Sequence, residues 1–203
     1  MAAEHEPETI EALARKAEGC TRCPLYKDAT QTVFGEGPAR AEVIFVGEQP
    51  GDQEDLAGKP FVGPAGQMLD ATLEEVGIDR SRVYVTNAVK HFKFTPRGKR
   101  RIHSKPNAGE IQACRWWLDH EIGLIKPKLT VALGATALTS LYGKALPVTK
   151  NRRQILTGEG GLRIFVTVHP SFLLRIPDRE SAARERRLFA EDLAAVRRIM
   201  DAA

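Results

Sequence analysis

Long apolar runs are absent from this sequence, and their absence excludes a membrane-spanning protein. No stretch approaches the roughly 20 apolar residues that a helix needs to cross a bilayer. The first residues, Met1 to Glu11, are acidic and lack the apolar segment of a secretory signal. We therefore expect a soluble cytoplasmic protein. Its 203 residues, 42% of them hydrophobic, suffice for a single packed domain over residues 1–203, and no repeat or heptad pattern argues against a monomer.

Cysteine is scarce and odd in number, so not all of its thiols can pair within the chain. The three positions are Cys20, Cys23 and Cys114. A cytoplasmic compartment is reducing, and we expect the thiols to stay free. The Cys-Thr-Arg-Cys pair at 20–23 therefore suggests metal binding or redox use. A thioredoxin-like redox role is disfavoured, because the pair does not lie between a strand and a helix of a βαβ unit.

Acidic residues are missing from one stretch, between Lys90 and Lys105. Seven lysines and arginines fall there without a single aspartate or glutamate. The whole chain carries a net charge of +4 and has an isoelectric point of about 9.0. Clustered positive charge favours a polyanionic partner such as nucleic acid, although a solvated charged loop would have the same composition.

Strand-like and helix-like segments alternate along the chain. Short apolar runs predict four buried strands, at residues 42–46, 83–85, 129–133 and 164–168. Helical spacing predicts helices at residues 9–17, 65–76, 107–124, 135–141 and 181–200, the third opened by a capping box of Asn107 and Glu110. This order predicts an α/β fold, namely a single-domain, three-layer α/β/α sandwich with a central four-stranded parallel sheet.

Polar side chains follow the predicted strands. The segments after the four strands are Gly47-Glu48-Gln49, Thr86-Asn87, Gly134-Ala135-Thr136 and His169-Pro170-Ser171. Ligands of parallel sheets bind beyond the carboxyl ends of the strands, so we expect these segments to meet at one edge. A carboxylate, an amide and an imidazole beside a basic stretch predict a functional site there.

These residue types suit cleavage of the N-glycosidic bond to a flipped-out base. The Asn87 amide donates and accepts at once, as the pairing edge of uracil requires, and Phe61 could stack on the base. Cleavage develops positive charge on the sugar, which Glu48 would stabilise, and negative charge on uracil, to which His169 would donate a hydrogen bond. Ordinary structural roles compete with these: a turn cap for Asn87, core packing for Phe61 and a turn hydrogen bond for His169.

The segment Ser171-Phe172-Leu173-Leu174-Arg175 places apolar side chains shortly after His169. Such side chains can wedge between bases and fill the space of an extruded nucleotide. Packing under the terminal helix is the alternative, and the sequence does not separate the two.

Four motifs together resemble the iron–sulfur uracil-DNA glycosylases. They are Gly-Glu-Gln-Pro-Gly at 47–51, Pro-Phe-Val-Gly at 60–63, Thr-Asn-Ala-Val-Lys at 86–90 and His-Pro-Ser at 169–171. The similarity extends from Cys20 to about Arg175. Two departures are similar to the UdgX-type subgroup: His91 stands where the ordinary enzymes have a cysteine, and the segment Lys-Arg-Arg-Ile-His at 99–103 is one that they lack.

The resemblance implies uracil-containing DNA, single-stranded or double-stranded, as the partner and a [4Fe–4S] cluster as the cofactor. The implied cluster ligands are Cys20, Cys23, His91 and Cys114, although by donor type alone zinc would suit them equally well. The implied catalytic residues are His103, Glu48 and His169. The implied uracil-binding residues are Gly47, Gln49, Phe61, Asn87 and His169. The implied DNA-binding residues are Lys99, Arg100, Arg101, Ser171, Leu173 and Arg175.

The same resemblance implies a covalent ending to the reaction. In the UdgX-type subgroup the loop histidine bonds to C1′ of the sugar after uracil leaves, which implies that role for His103, with Glu48 supporting the alkylated ring. The alternatives are a turnover glycosylase that leaves a free abasic site, a non-catalytic metal-bound nucleic-acid sensor and a zinc-braced structural protein. Glu48, Asn87 and His169 together disfavour the sensor, because binding alone needs no such combination.

Overall fold

A central five-stranded sheet organises the computed structural model, which describes residues 9–202. In chain order the strands are β1 (Val43–Gly47), β2 (Val83–Asn87), β3 (Phe94–Arg97), β4 (Arg100–His103), β5 (Leu129–Leu133), β6 (Ile155–Thr157) and β7 (Arg163–Thr167). The helices are α1 (Ile10–Ala17), α2 (Asp52–Ala57), α3 (Pro64–Glu75), α4 (Ala108–Ile125), α5 (Ala135–Tyr142), α6 (Val148–Asn151), α7 (Pro170–Leu173) and α8 (Arg179–Asp201). Short 3₁₀ turns lie at Pro24–Lys27, Arg80–Arg82 and Glu159–Gly161.

The sheet has the strand order β2-β1-β5-β7-β6. The first four of these strands run parallel, whereas β6 pairs antiparallel with β7. The predicted α/β fold with a parallel sheet between helices is confirmed, but the predicted number of four strands is wrong. Strand β6 has only three residues and lies at the edge of the sheet, so it is too short to carry a periodic pattern.

Helices cover both faces of the sheet, and every residue of β1 is buried as a result. Val43 and Phe45 pack in one apolar cluster with α3 and α8, whereas Ile44 and Val46 pack in another with α4 and α5. Side chains of a strand alternate between faces, so a strand buried on both faces needs an unbroken apolar run. The strands therefore form a rigid support for the residues that follow their carboxyl ends.

Helix α4 begins where the sequence predicts. The Glu110 N–H donates to the Asn107 side chain over 2.9 Å, and the Asn107 N–H donates to the Glu110 carboxylate over 2.7 Å. The predicted capping box is therefore confirmed. Among residues 9–202, no helix is both long enough and apolar enough to cross a membrane.

The basic stretch, for which the sequence predicts no strand, contains a β-hairpin. Strands β3 and β4 pair antiparallel from Phe94↔His103 to Arg97↔Arg100. Pro96 and the surrounding charges disfavour a strand on sequence grounds, and within the described chain the two strands form a sheet of their own. We call residues 94–103 the hairpin, and its position depends on side-chain contacts described below.

Candidate active site

The carboxyl ends of the parallel strands open into a cavity of about 960 Å³. Glu48, Asn87 and His169, which the sequence predicts at one edge of the sheet, all line this cavity. Phe61 and His103 line it as well. The structure therefore brings together five side chains for which the sequence predicts roles in base recognition or bond cleavage.

Gly47 lies at the centre of the base-recognition groups. A Cβ atom at this position would lie 2.4 Å from Oδ1 of Asn87, 2.8 Å from Cζ of Phe61 and 3.4 Å from Nε2 of His169. An amide, an aromatic ring and an imidazole thus converge on one stretch of bare backbone. Any side chain at position 47 would collide with them, so glycine is required by close approach rather than by backbone conformation.

Phe61 has a strained backbone conformation. Its φ is 56°, in the left-handed region that bulky residues rarely adopt. Gly66 permits this turn, because a Cβ atom there would lie 1.7 Å from the Phe61 carbonyl oxygen. The ring stacks with His169 at 6.3 Å between centroids and 27° between planes. Such strain persists only where the surrounding structure imposes it, often at functional sites, and here it places the ring against the cavity.

The hydrogen bonds of His169 assign its tautomer. The Ser171 N–H donates to Nδ1 of His169 over 3.1 Å, so the proton of the neutral ring lies on Nε2. Burial lowers the pKa of His169 to about 4, and the ring is neutral near pH 7. A turn hydrogen bond was the structural alternative to a catalytic role for His169. The two are compatible, because the hydrogen bond to Nδ1 leaves Nε2–H as a donor beside Asn87.

Glu48 connects the sheet to the hairpin. Its Oε1 lies 3.1 Å from Nε2 of His103, and its Oε2 accepts a short hydrogen bond from the Thr136 hydroxyl on α5. Desolvation raises the pKa of Glu48, but the hydrogen bonds from His103 and Thr136 together outweigh it and hold that pKa below its ordinary value. Glu48 is therefore a carboxylate near neutral pH. Thr136 follows the third predicted strand, and this position is the only sequence signal for its role.

The Gln49 side chain is occupied by the hairpin. Its Nε2 donates to the carbonyl oxygens of Lys93 and Ser104, over 3.0 and 3.1 Å, and its Oε1 accepts from the Lys93 N–H over 3.1 Å. One amide thus joins the two ends of the hairpin. The sequence predicts Gln49 to bind uracil, and this arrangement leaves its backbone, not its side chain, for that contact.

Arg101 also holds the hairpin, although the sequence predicts a contact with DNA. Its Nε donates to Asp52 over 2.6 Å and its Nη1 to Asp55 over 2.5 Å, both on α2. The guanidinium lies 5.4 Å from the ring centre of Phe92 and 5.2 Å from that of Phe94. Two carboxylates neutralise this arginine, so a phosphate would have to displace them.

The other predicted DNA-binding residues differ in exposure. Lys99, Arg100 and Arg175 are exposed, and the Ser171 hydroxyl lies 2.8 Å from Nδ1 of His169. Leu173 is 1% exposed and belongs to the core, which contradicts its predicted place in a wedge. One turn of α7 directs Leu173 inward and leaves Phe172 and Leu174 outside, each 42% exposed.

Lys90, the first of the seven basic residues, is removed from the surface altogether. Its side chain is 0% exposed, and its Nζ lies 2.6 Å from Oε2 of Glu121, which is equally buried. The basic stretch therefore offers less positive charge to a polyanion than its composition indicates. A count of charges along a sequence does not detect a buried ion pair.

The three cysteines lie close together. Cys20, Cys23 and Cys114 are buried free thiols within one packed cluster that includes Trp117. The Trp117 indole N–H donates to Sγ of Cys20 over 3.1 Å, and the Lys90 backbone N–H donates to Sγ of Cys114 over 3.2 Å. The N-terminal segment and α4 thus meet at sulfur atoms.

His91 adds a nitrogen to this cluster of thiols. Its Nδ1 is buried and has no hydrogen-bond partner among the described residues, while its Nε2 lies 3.0 Å from the Thr32 hydroxyl. Hydrogen bonding to Cys114 and, more weakly, the neighbouring His91 ring outweigh burial and lower the pKa of the Cys23 thiol to about 5. Over residues 9–202, no three His, Cys, Asp or Glu side chains are arranged to hold a single metal ion. Thiolates and an unpartnered imidazole nitrogen are nonetheless the donor types of iron–sulfur clusters.

An amide, an aromatic ring, an imidazole and a carboxylate around one cavity define a site suited to a flat, hydrogen-bonding base. The chain belongs to the uracil DNA glycosylase superfamily, which it matches over residues 34–194. The predicted family is thus confirmed at the level of the superfamily. The UdgX-type subgroup stays a prediction.

Several relatives match most of the chain. It is 40% identical over 187 residues to the type-4 uracil-DNA glycosylase of Thermotoga maritima, covering 92% of both chains. It is 37% identical over 175 residues to that of Pyrobaculum aerophilum, covering 83% of this chain and 86% of the relative. It is 33% identical over 200 residues to that of Sulfurisphaera tokodaii, covering 95% and 85% respectively.

Proposed function

We propose that this protein excises uracil from DNA and then bonds covalently to the sugar through His103. The observation that carries the first part is the convergence of Asn87, Phe61 and His169 on the bare backbone of Gly47. The observation that carries the second part is the position of His103, whose Nε2 lies 3.1 Å from the Glu48 carboxylate at the mouth of the same cavity.

Bond cleavage uses groups on the sheet side of the cavity. Uracil, flipped out of the strand, stacks on Phe61 and pairs with the Asn87 amide. As the bond between C1′ and uracil N1 breaks, its electron pair leaves with uracil, and the Nε2–H of His169 donates to the uracil oxygen that gains charge. The Glu48 carboxylate stabilises the positive charge that remains on the sugar.

Covalent capture uses the hairpin. The ring nitrogen of His103 that carries no proton donates its lone pair to C1′ of the sugar cation and forms the new bond. The other ring nitrogen keeps its proton, so the alkylated ring is a cationic imidazolium that the Glu48 carboxylate stabilises, and the negative charge remains on uracil. A tethered nucleophile competes well with water, since effective concentrations reach roughly 10⁵ M or more. The half-exposed side chain of His103 faces the cavity from outside the sheet.

A gel assay tests both parts. The protein is mixed with a uracil-containing single-stranded oligonucleotide, boiled in detergent and run on a denaturing gel. We expect a shifted band for the wild type, and for His120→Ser, which replaces a histidine outside the cavity. His103→Ser should give no shifted band. A heat-stable adduct formed by His103→Ser would refute His103 as the nucleophile. If the wild type leaves DNA that is unshifted but cleaved by alkali, the protein is a turnover glycosylase. If the DNA remains intact, excision itself is refuted.

An iron–sulfur cluster is part of the same proposal. Cys20, Cys23, Cys114 and Nδ1 of His91 would hold a [4Fe–4S] cluster, which would join α1, the His91 segment and α4 as a structural brace. Broad visible absorbance of anaerobically purified protein, lost in Cys114→Ser, is the expected result. A colourless protein that contains stoichiometric zinc would contradict it.

DNA binding would use the exposed residues around the cavity. Lys99 and Arg100 on the hairpin and Arg175 after α7 would contact phosphates, and Ser171 would adjoin them. Phe172 and Leu174 are the side chains free to enter the base stack, in place of the buried Leu173.

A further inference from the structure

We infer that Lys90 is a positioning residue that sets the place of Asn87 for uracil, an inference that rests on the proposed function. The Nζ of Lys90 donates to the backbone carbonyl of Asn87 over 2.8 Å. It also donates to the Thr86 hydroxyl over 2.6 Å and to Oε2 of Glu121 over 2.6 Å. An ammonium has three N–H donors, and here each one has a buried acceptor.

The burial of this ion pair makes its geometry strict. Both side chains are 0% exposed, so bulk water reaches neither charge. Glu121 also accepts hydrogen bonds from the Tyr84 hydroxyl over 2.9 Å and from the Thr86 hydroxyl over 2.9 Å. A buried charge that loses its partner is strongly destabilised. The Asn87 carbonyl is therefore tied to a buried network of hydrogen bonds around an ion pair.

The same short segment contacts the rest of the active site through its backbone. The Ala88 N–H donates to the Gly47 carbonyl over 2.9 Å, and the Val89 N–H donates to the Glu48 carbonyl over 3.0 Å. The Lys90 N–H donates to Sγ of Cys114. Residues 87–90 thus lie between the pocket proposed for uracil, around Gly47, and the thiol of Cys114. Lys90 contacts the first through its side chain, at the Asn87 carbonyl, and the second through its backbone N–H. It fixes the backbone that carries the Asn87 amide without touching the base.

The consequence for catalysis is specific. The hydrogen-bonding edge of Asn87 selects uracil, and a small displacement of its backbone would misalign donor and acceptor. Misplacement of a recognition group by about 1 Å can slow a reaction roughly 100-fold. Loss of Lys90 should therefore weaken recognition of uracil more than it weakens binding of the DNA strand.

The test is the double variant Lys90→Met/Glu121→Gln, which removes both charges so that neither is left unpaired. Free uracil serves as the probe, through its inhibition of excision from a uracil-containing oligonucleotide. We expect the inhibition constant for uracil to rise about tenfold or more and the excision rate at saturating DNA to fall by at least as much. The affinity for a uracil-free oligonucleotide should not change.

Tyr84→Phe is the matched control. It removes a hydrogen bond to the same carboxylate but does not touch Asn87, so it should lower the melting temperature and leave uracil inhibition as in the wild type. If the first double variant does not fold, Lys90→Met/Glu121→Leu replaces it, because apolar replacement of a buried ion pair is often tolerated.

The outcomes separate the inference from the proposed function. If the wild type excises uracil and the folded double variant has an unchanged inhibition constant for uracil and an unchanged excision rate, the inference is overturned but the proposed function is not. An equal loss of uracil inhibition in Tyr84→Phe also overturns it, because general disturbance of the network would then suffice. A wild type that leaves uracil in the DNA overturns both.

Discussion

The pocket proposed for uracil, formed by Gly47, Phe61, Asn87 and His169, meets the hairpin at Glu48, yet the two regions are held in place by different forces. Asn87 is the last residue of a buried strand of the main sheet and His169 follows another, and apolar packing on both faces fixes those strands. The hairpin forms a separate two-stranded sheet. The Gln49 amide and the ion pairs of Arg101 with Asp52 and Asp55 hold it to the segment that follows β1. On the proposed function, recognition of the base would therefore depend on the core, whereas placement of the proposed nucleophile His103 would depend on a few polar contacts.

Glu48→Gln should have the largest effect, because this side chain serves both regions. A neutral amide cannot stabilise the positive sugar, and we expect uracil excision to slow by about 100-fold or more. Single-turnover release of uracil from a labelled oligonucleotide measures this rate. Glu159→Gln neutralises a carboxylate that is 88% exposed and lies outside the cavity, and it should change nothing. A similar loss in both variants would indicate a general charge effect.

Arg101→Met separates the two regions. Removal of its contacts with Asp52 and Asp55 should loosen the hairpin, so that adduct formation falls about tenfold or more while uracil release falls less. The ratio of covalent adduct to released uracil, measured at saturating DNA, reports the difference. Arg100→Met changes the exposed neighbour on the same strand and should keep the wild-type ratio. If excision and adduct formation fell in proportion, the hairpin and the pocket would not be independent.

His169→Asn tests the pocket through stability. The pKa of His169 is lowered to about 4 from an ordinary value of 6.5. The unfolded chain therefore binds this proton between those pH values and the native state does not, so native stability should rise from pH 4 to 6.5 and level off above. The pH dependence of urea midpoints should be shallower in His169→Asn over that window. An unchanged slope would mean that folding does not lower the pKa of this ring.

Arg100→Met should have the smallest effect, confined to the electrostatics of the hairpin surface. Loss of one phosphate contact should reduce the slope of log affinity against log salt by about 0.7 on single-stranded DNA. Fluorescence anisotropy over a salt series measures the slope. Lys144→Met, which removes an exposed charge outside the cavity, should leave it unchanged.

The same contrast explains what could be predicted from the sequence. Glu48, Asn87 and His169 were predictable as one site because parallel strands bring their carboxyl ends to one edge. The roles of Gln49 and Arg101 were not, since their partners Lys93 and Asp55 lie 44 and 46 residues away. No local pattern encodes such a contact.

The elements that the sequence predicts wrongly also have local causes. Strand β6 and the hairpin strands are short or charged, and propensity alone favours a loop for both. Leu173 and its neighbours are chemically alike, so only the turn of α7 decides which of them is buried. The burial of Lys90 is not predictable from the sequence, because lysine is seldom buried without a partner and its partner Glu121 is 31 residues away.

The left-handed backbone of Phe61 sets conformational strain against packing. A residue held in this region carries about 1–3 kcal/mol of conformational strain, and glycine at position 61 would relieve it. The ring is only 8% exposed and packs in the apolar cluster with α3 and α8, and loss of a buried phenylalanine ring costs about 3–5 kcal/mol. Packing therefore outweighs strain, so glycine at this position would lower stability as well as remove the ring proposed to stack on the base. A screen that scores only melting temperature would keep phenylalanine here.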